Sequence, residues 1–149
     1  MKSVQTEEML VSKEGRILFV DDEANILSGL RRMLRGMRHT WRMDFANNGM
    51  EALDMMHTSE YDVVVSDMRM PIMNGAELLG QIKELYPMTV RIILSGYSDR
   101  ELALQAVGTA HQFLAKPCDA EELTSTICRA LELRRVLRNG ALQQVLSKI

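Results

Sequence analysis

The chain has 149 residues and a formal net charge of −2; 46% of its residues are hydrophobic and 26% charged. Those proportions suit one globular domain with a real core and exclude a disordered, collagen-like or disulfide-stapled chain. The near-neutral charge argues against a whole-surface grip on nucleic acid, and no stretch approaches the roughly 20 apolar residues that span a bilayer.

Residues 1–14 lack the apolar run of a signal peptide and are expected to form a flexible tail. Cys118 and Cys128 are too few for a framework, so free thiols and a cytoplasmic location are expected. The first strand is predicted over 16–20, where Ile17-Leu18-Phe19-Val20 is continuously apolar, and Asp21-Asp22 follow it. A helix comes next, its apolar face predicted at Ile26, Leu30, Met33, Leu34 and Met37. Arg31, Arg32, Arg35 and Arg38 fall mostly on its other side, as a solvated face. Trp41, Met43 and Phe45 alternate, which suits an edge strand over 41–46. A third strand over 62–66 is followed by Asp67, and Pro71 keeps a helix from starting there. The fourth strand (90–95) ends in Ser95-Gly96 and the fifth (112–115) in Lys116-Pro117. Asn48-x-x-Glu51, Asn74-x-x-Glu77, Ser98-x-x-Glu101 and Asp119-x-x-Glu122 mark four helix starts. Beyond 137, Asn139-Gly140 signals a turn. Leu142, Val145, Leu146 and Ile149 then form one helical stripe, so 138–149 is an amphipathic extension or the start of a linker to a missing output domain.

Strand–helix alternation implies an α/β fold, a three-layer, doubly wound, five-stranded parallel sheet. Ligands of such sheets bind outside the carboxyl ends of the strands. Asp21, Asp22 and Asp67, with Ser95 and Lys116, stand at those ends. Carboxylates gathered there repel one another, and a hard divalent cation such as Mg²⁺ relieves the repulsion. A cation, an ammonium and a hydroxyl suit a phosphoryl group, and a carboxylate can be its acceptor. Asp67, on the central strand, is the best candidate.

FVDDE at 19–23, SDMRMP at 66–71, LSG at 94–96 and FLAKP at 113–117 resemble the motifs of response-regulator receiver domains of two-component signalling. The resemblance covers 15–137 and implies a flavodoxin-like fold with strand order 2-1-3-4-5. It implies that Asp67 accepts a phosphoryl group from a histidine kinase or phosphotransfer protein, in a signalling module of a phosphorelay rather than an enzyme. It further implies that Asp22 and Asp67 bind Mg²⁺ directly, Asp21 through water, and Arg69 through its backbone carbonyl. Lys116 would pair with the phosphoryl oxygens, Ser95 would be the switch hydroxyl and Phe113 the switch aromatic, here without a tyrosine's hydroxyl. The Lys116-Pro117 peptide would be cis. Arg69 and Tyr97, bulky neighbours of the site, are expected to restrict water. VRIILSGYSD (90–99) and AHQFLAKPC (110–118) are similar to receivers attached to HDOD or HD-GYP output domains; the alternative is a stand-alone receiver. The face from Asp99 to Arg135 would dock partners or a second copy, with no direct nucleic-acid or membrane partner.

Other classes fare worse. A haloacid-dehalogenase-type phosphatase needs Asp-x-Asp after the first strand, and the chain has Asp21-Asp22-Glu23. A flavin site would want Ser, Thr and Gly where DDEANI stands, and no Gly-x-Gly-x-x-Gly is present. His39, His57 and His111 lack metal-ligand spacing. A pseudo-receiver scaffold or docking module remains, against which the intact acidic set argues.

Overall fold

In the computed structural model, residues 15–147 are described, with the side chains of 15–140. The predicted tail over 1–14, and the side chains of the stripe from Leu142 to Ile149, lie outside them. The strands are β1 (Gly15–Val20), β2 (Trp41–Ala46), β3 (Val63–Asp67), β4 (Val90–Ser95) and β5 (Gln112–Ala115). The helices are α1 (Ala24–Met33), α2 (Gly49–Thr58), α3 (Gly75–Leu85), α4 (Arg100–Gln105) and α5 (Ala120–Ser147). All strand pairs are parallel, in the order β2-β1-β3-β4-β5. Each strand is followed by a helix that returns the chain to the starting edge, which is what parallel pairing requires.

The continuous apolar strands are sandwiched as their patterns demand. Ile17, Phe19, Val63, Val65 and Ile92 pack towards α1 and α5, meeting Leu27, Leu30, Leu34, Leu123 and Ile127. Leu18, Val20, Val64 and Ile93 face the other layer, with Ala52 and Met56 of α2 and Leu78, Leu79 and Ile82 of α3. Successive strand residues point to opposite faces, so one run of four apolar residues serves both cores.

Three expectations need correction. The buried face of α1 is Leu27, Leu30 and Leu34, while Ile26 and Met33 are 38% and 40% exposed. A stripe can be drawn through either set, and only contact with the sheet decides between them. Ser98 does not cap α4: a 3₁₀ turn over Tyr97–Asp99 leads into it, and Asp99 Oδ2 accepts from the Gly96 amide at 2.8 Å. Nor does the chain turn at Asn139-Gly140; α5 runs through both residues to Ser147. The other three caps form, the Asn74–Glu77 pair as a reciprocal box.

The amino end of the sheet is tied by charge. Arg134 of α5, its side chain 7% exposed, donates to Asp62 at 3.2 Å and to Glu60 at 2.7 Å. The other Asp62 oxygen accepts the Arg16 amide at 3.0 Å. Only the arginine is deeply buried: the Glu60 side chain is 73% exposed and that of Asp62 18%, so water can still solvate both acids if Arg134 is removed. Arg134→Ala is therefore expected to lower unfolding stability by about 1–2 kcal/mol in urea titration, through lost packing of the stem and two lost ion pairs. Arg134→Met, which restores the apolar stem, should recover only part.

Candidate functional site

β3 places Asp67 at its last position, one residue further into the strand than the 62–66 prediction. Its neighbour Met68 donates to Leu94 O at 3.0 Å, which holds the end of β3 against β4. The loop after Asp67 closes through the Gly75 amide, bonded to Met68 O at 2.8 Å. A Cβ on Gly75 would drive into the Asp67 carbonyl oxygen, so α3 can start this close to β3 only with glycine there. β1 ends beside β3 and delivers Asp21 and Asp22. β5 pairs with β4 so that Ser95 faces Ala115, and the Lys116 amide donates to Ser95 O at 3.0 Å. The Lys116-Pro117 peptide is cis.

The structure thus brings together Asp21, Asp22, Asp67 and Lys116. Carboxylate oxygens of the three aspartates lie within 4.8 Å of one another, the one such cluster among the described residues. Asp21 and Asp67 are 3% and 6% exposed, and Asp22 stands open to solvent. Lys116 Nζ bonds Asp67 Oδ1 and stands 3.9 Å from Asp21 Oδ2. Asp21 Oδ1 accepts the Glu23 amide at 2.9 Å, whereas the buried Oδ2 has no hydrogen-bond partner. A buried carboxylate oxygen without a donor, facing two more carboxylates, is the geometry that a hard cation completes, and an all-oxygen set suits Mg²⁺.

The electrostatics follow from burial. Desolvation pushes Asp21 up to about 6, against the pull of the Glu23 amide and with a further push from Asp67. Desolvation also raises Asp67; the Lys116 hydrogen bond opposes it, and the charges of Asp22 and Asp99 add to it. Burial works against the Lys116 charge, but its bond to Asp67 and the nearby carboxylates outweigh that and raise its pKa. One ammonium therefore does not neutralise this pocket.

The remaining expected residues border the cluster. Ser95 ends β4 half-buried, and its hydroxyl makes no hydrogen bond among the described residues. Phe113 lies on β5 beside Ile93, 39% exposed and outside the cluster. The Arg69 side chain turns across to the next loop, with Nε bonded to Asp99 Oδ1 at 2.8 Å and Nη2 to Ser98 O at 3.3 Å. Tyr97 is 83% exposed under Arg100, so it does not shield the site as expected.

Asp99 is the residue that sequence reasoning missed. It is 5% exposed and ties the Gly96 amide, next to Ser95, to Arg69, two residues past Asp67. Burial alone would raise its pKa, but the Arg69 and Gly96 hydrogen bonds hold it below the usual carboxylate range. The spacing Gly96-x-x-Asp99 mirrors the capping pairs and was the available signal.

A family model described as "Response regulator receiver domain" matches residues 17–128. The regulatory protein ZraR of Klebsiella oxytoca is 36% identical over 121 residues, which is 80% of this chain and 27% of that protein. NtrC of Escherichia coli K12 is 37% identical over 120 residues, 80% of this chain and 25% of that protein. This chain therefore spans about a quarter of the curated relatives it matches. Among solved structures, the signal receiver domain of an HD domain-containing protein from Pseudomonas fluorescens Pf-5 superposes with a TM-score of 0.78 at 33% identity, over 84% of this chain and 92% of that one.

The orphaned Asp21 oxygen generates a pH signature. In the unfolded chain this carboxyl loses its proton near 3.8, in the fold at about 6. Between those values the folded state binds more protons, so stability from this group is present at low pH and lost as pH rises towards 6. That interval corresponds to about 3 kcal/mol. Without divalent cations, Asp21→Asn should be more stable than wild type at pH 7 by up to that amount. The gap should vanish near pH 4 and narrow at pH 7 when Mg²⁺ is added, all read as melting temperatures.

Proposed function

The chain belongs to the response regulator receiver domain family, and we propose that Asp67 is the residue through which it takes a phosphoryl group from the phosphohistidine of a histidine kinase or phosphotransfer protein. The observation that carries this reading is the convergence of Asp21, Asp22, Asp67 and Lys116 on one pocket, with Asp67 central and bonded to Lys116.

In the transfer, an Asp67 carboxylate oxygen forms a bond to phosphorus, the phosphorus–nitrogen bond breaks, and the neutral imidazole leaves with a proton from solvent. Positioning and charge neutralisation dominate such a step. Lys116 holds the attacking carboxylate and then meets the incoming oxygens with its charge. Asp21, Asp22, Asp67 and the Arg69 backbone carbonyl would hold Mg²⁺, which when bound draws charge from the phosphoryl oxygens.

Ser95, whose hydroxyl has no hydrogen-bond partner among the described residues, is the group free to turn towards a new phosphoryl oxygen, and Phe113 follows as β5 and its loop adjust. Moving a two-state equilibrium from 1:99 to 99:1 takes about 5.5 kcal/mol of differential interaction. Charge-assisted hydrogen bonds supply about 1.5–3 kcal/mol each. Several must act together, or a second copy docking on the Asp99 to Arg135 face must add to them. Leu104 and Val107, 74% and 66% exposed on that face, support such docking.

For the output we propose an attached HDOD or HD-GYP-type domain. The sequence resemblance over 90–99 and 110–118 and the likeness to the Pseudomonas receiver support it; the ZraR and NtrC relatives are transcriptional regulators. A cytoplasmic location fits this role, and no described helix is long and apolar enough to cross a membrane.

Incubation with acetyl phosphate and Mg²⁺ should add the mass of one phosphoryl group, and Asp67→Asn or chelator should abolish the gain; an unchanged intact mass would overturn the assignment. Arg69, two residues past Asp67 and braced by Asp99, is expected to restrict water at the acceptor. Arg69→Ala should therefore shorten the phosphoryl lifetime severalfold, and Tyr97→Ala should leave it unchanged, both followed by loss of that mass.

A further inference from the structure

Away from the acidic pocket, the segment 31–43 contains five arginines and no Asp or Glu. The structure gathers four of them on one edge. Arg31, Arg35 and Arg38, at the end of α1 and in the turn after it, line a cleft of about 590 Å³ together with Arg42 of β2. All four are exposed, and none forms an ion pair among the described residues. Arg31 lies 4.3 Å from the centroid of the Phe45 ring, so its guanidinium stays at the cleft wall instead of spreading into solvent.

The floor of this cleft is a strand edge. Among the described residues β2 is the outermost strand, paired only with β1, and its residues Trp41, Arg42, Met43, Asp44 and Phe45 line the cleft in unbroken succession. A groove that follows a strand for five residues is about 16 Å long and has the shape of an extended chain. An open edge also presents unpaired backbone donors and acceptors, a template for one more strand. We propose that the outer edge of β2 is a docking groove for an extended, acidic segment of a partner protein, which adds as a sixth strand and sets its carboxylates against Arg31, Arg35, Arg38 and Arg42.

Charge selects this occupant over others. A second copy would bring the same arginines to the same edge and be repelled, so the arginines guard against self-pairing while leaving an acidic strand complementary. A nucleic-acid backbone would meet Asp44 inside the cleft. Asp44 does not obstruct a peptide, because Arg16 at 3.4 Å and the Tyr61 hydroxyl at 2.6 Å already hold it. Carboxylates spaced along a strand can avoid it, whereas an unbroken run of phosphates cannot.

The test uses a fluorescein-labelled peptide of about nine residues that alternates Glu with Val, titrated with the whole chain and read by anisotropy. Three control probes accompany it: the same peptide with Gln for Glu, the same peptide N-methylated at alternate residues, and an oligothymidylate of matching length. The expected result is saturable binding of the acidic peptide, weakened at least tenfold by the Gln exchange and by N-methylation. The combined exposed substitutions Arg35→Gln, Arg38→Gln and Arg42→Gln, with folding confirmed by circular dichroism, should weaken it at least tenfold. Equal binding of the N-methylated peptide would show adhesion by charge alone and overturn strand addition. Tighter binding of the oligothymidylate would give the surface to nucleic acid. Self-association in size exclusion that the triple substitution abolishes would give it to a second copy. Each of these results rejects the proposal.

Discussion

Two buried carboxylates, Asp21 and Asp67, with Asp22 beside them, share one end of a sheet, and a single ammonium answers them. Water would screen this repulsion, but the strands that deliver the groups also exclude water from them. The apolar sandwich on both faces of β1 and β3 must hold the charges in place, so the core and the pocket are one energetic problem. Either way of relieving the stress, a proton or a cation, is also a chemical signal. A pocket at rest electrostatically would have no reason to respond.

Two loops close around this stress, and Asp99 joins them. One of its oxygens holds the Gly96 amide beside Ser95, and the other holds Arg69 beyond Asp67. Movement of Ser95 therefore pulls on a carboxylate already committed to the opposite loop. Because Asp99 is buried, letting go of either partner exposes an unpaired polar group to a poor solvent. This coupling ties the loop after β4 to the loop after β3.

Most of this was legible in the residues. Continuous apolar runs in β1, β3 and β4 announced strands covered on both sides, and polar groups immediately after the strands announced which side chains would gather at one end of the sheet. Asn48, Asn74 and Asp119 are caps by local chemistry, and local chemistry is what a sequence exposes. The failures have separate causes. Ile26 and Leu27 compete for one helix face, and the sheet, not the helix period, decides for Leu27. Ser98 looked like a cap because the competing bond from Gly96 to Asp99 lies inside a 3₁₀ turn. Gly140 looked like a stop, yet a helix tolerates glycine at about 1 kcal/mol when nothing else interrupts it.

The net charge of −2 conceals how unevenly charge is laid out. Asp21, Asp22, Asp67 and Asp99 stand at the carboxyl ends of the strands, while Arg35, Arg38 and Arg42, which form no ion pair among the described residues, sit towards the amino end. A strand of five residues separates the two poles by about 16 Å, roughly twice the Debye length of about 8 Å at physiological salt. Each pole is therefore felt on its own, and the molecule behaves as an electric dipole in spite of its small total charge. An approaching partner is turned before it touches, cationic groups towards one end and anionic groups towards the other, so that orientation is selected during diffusion and not after collision.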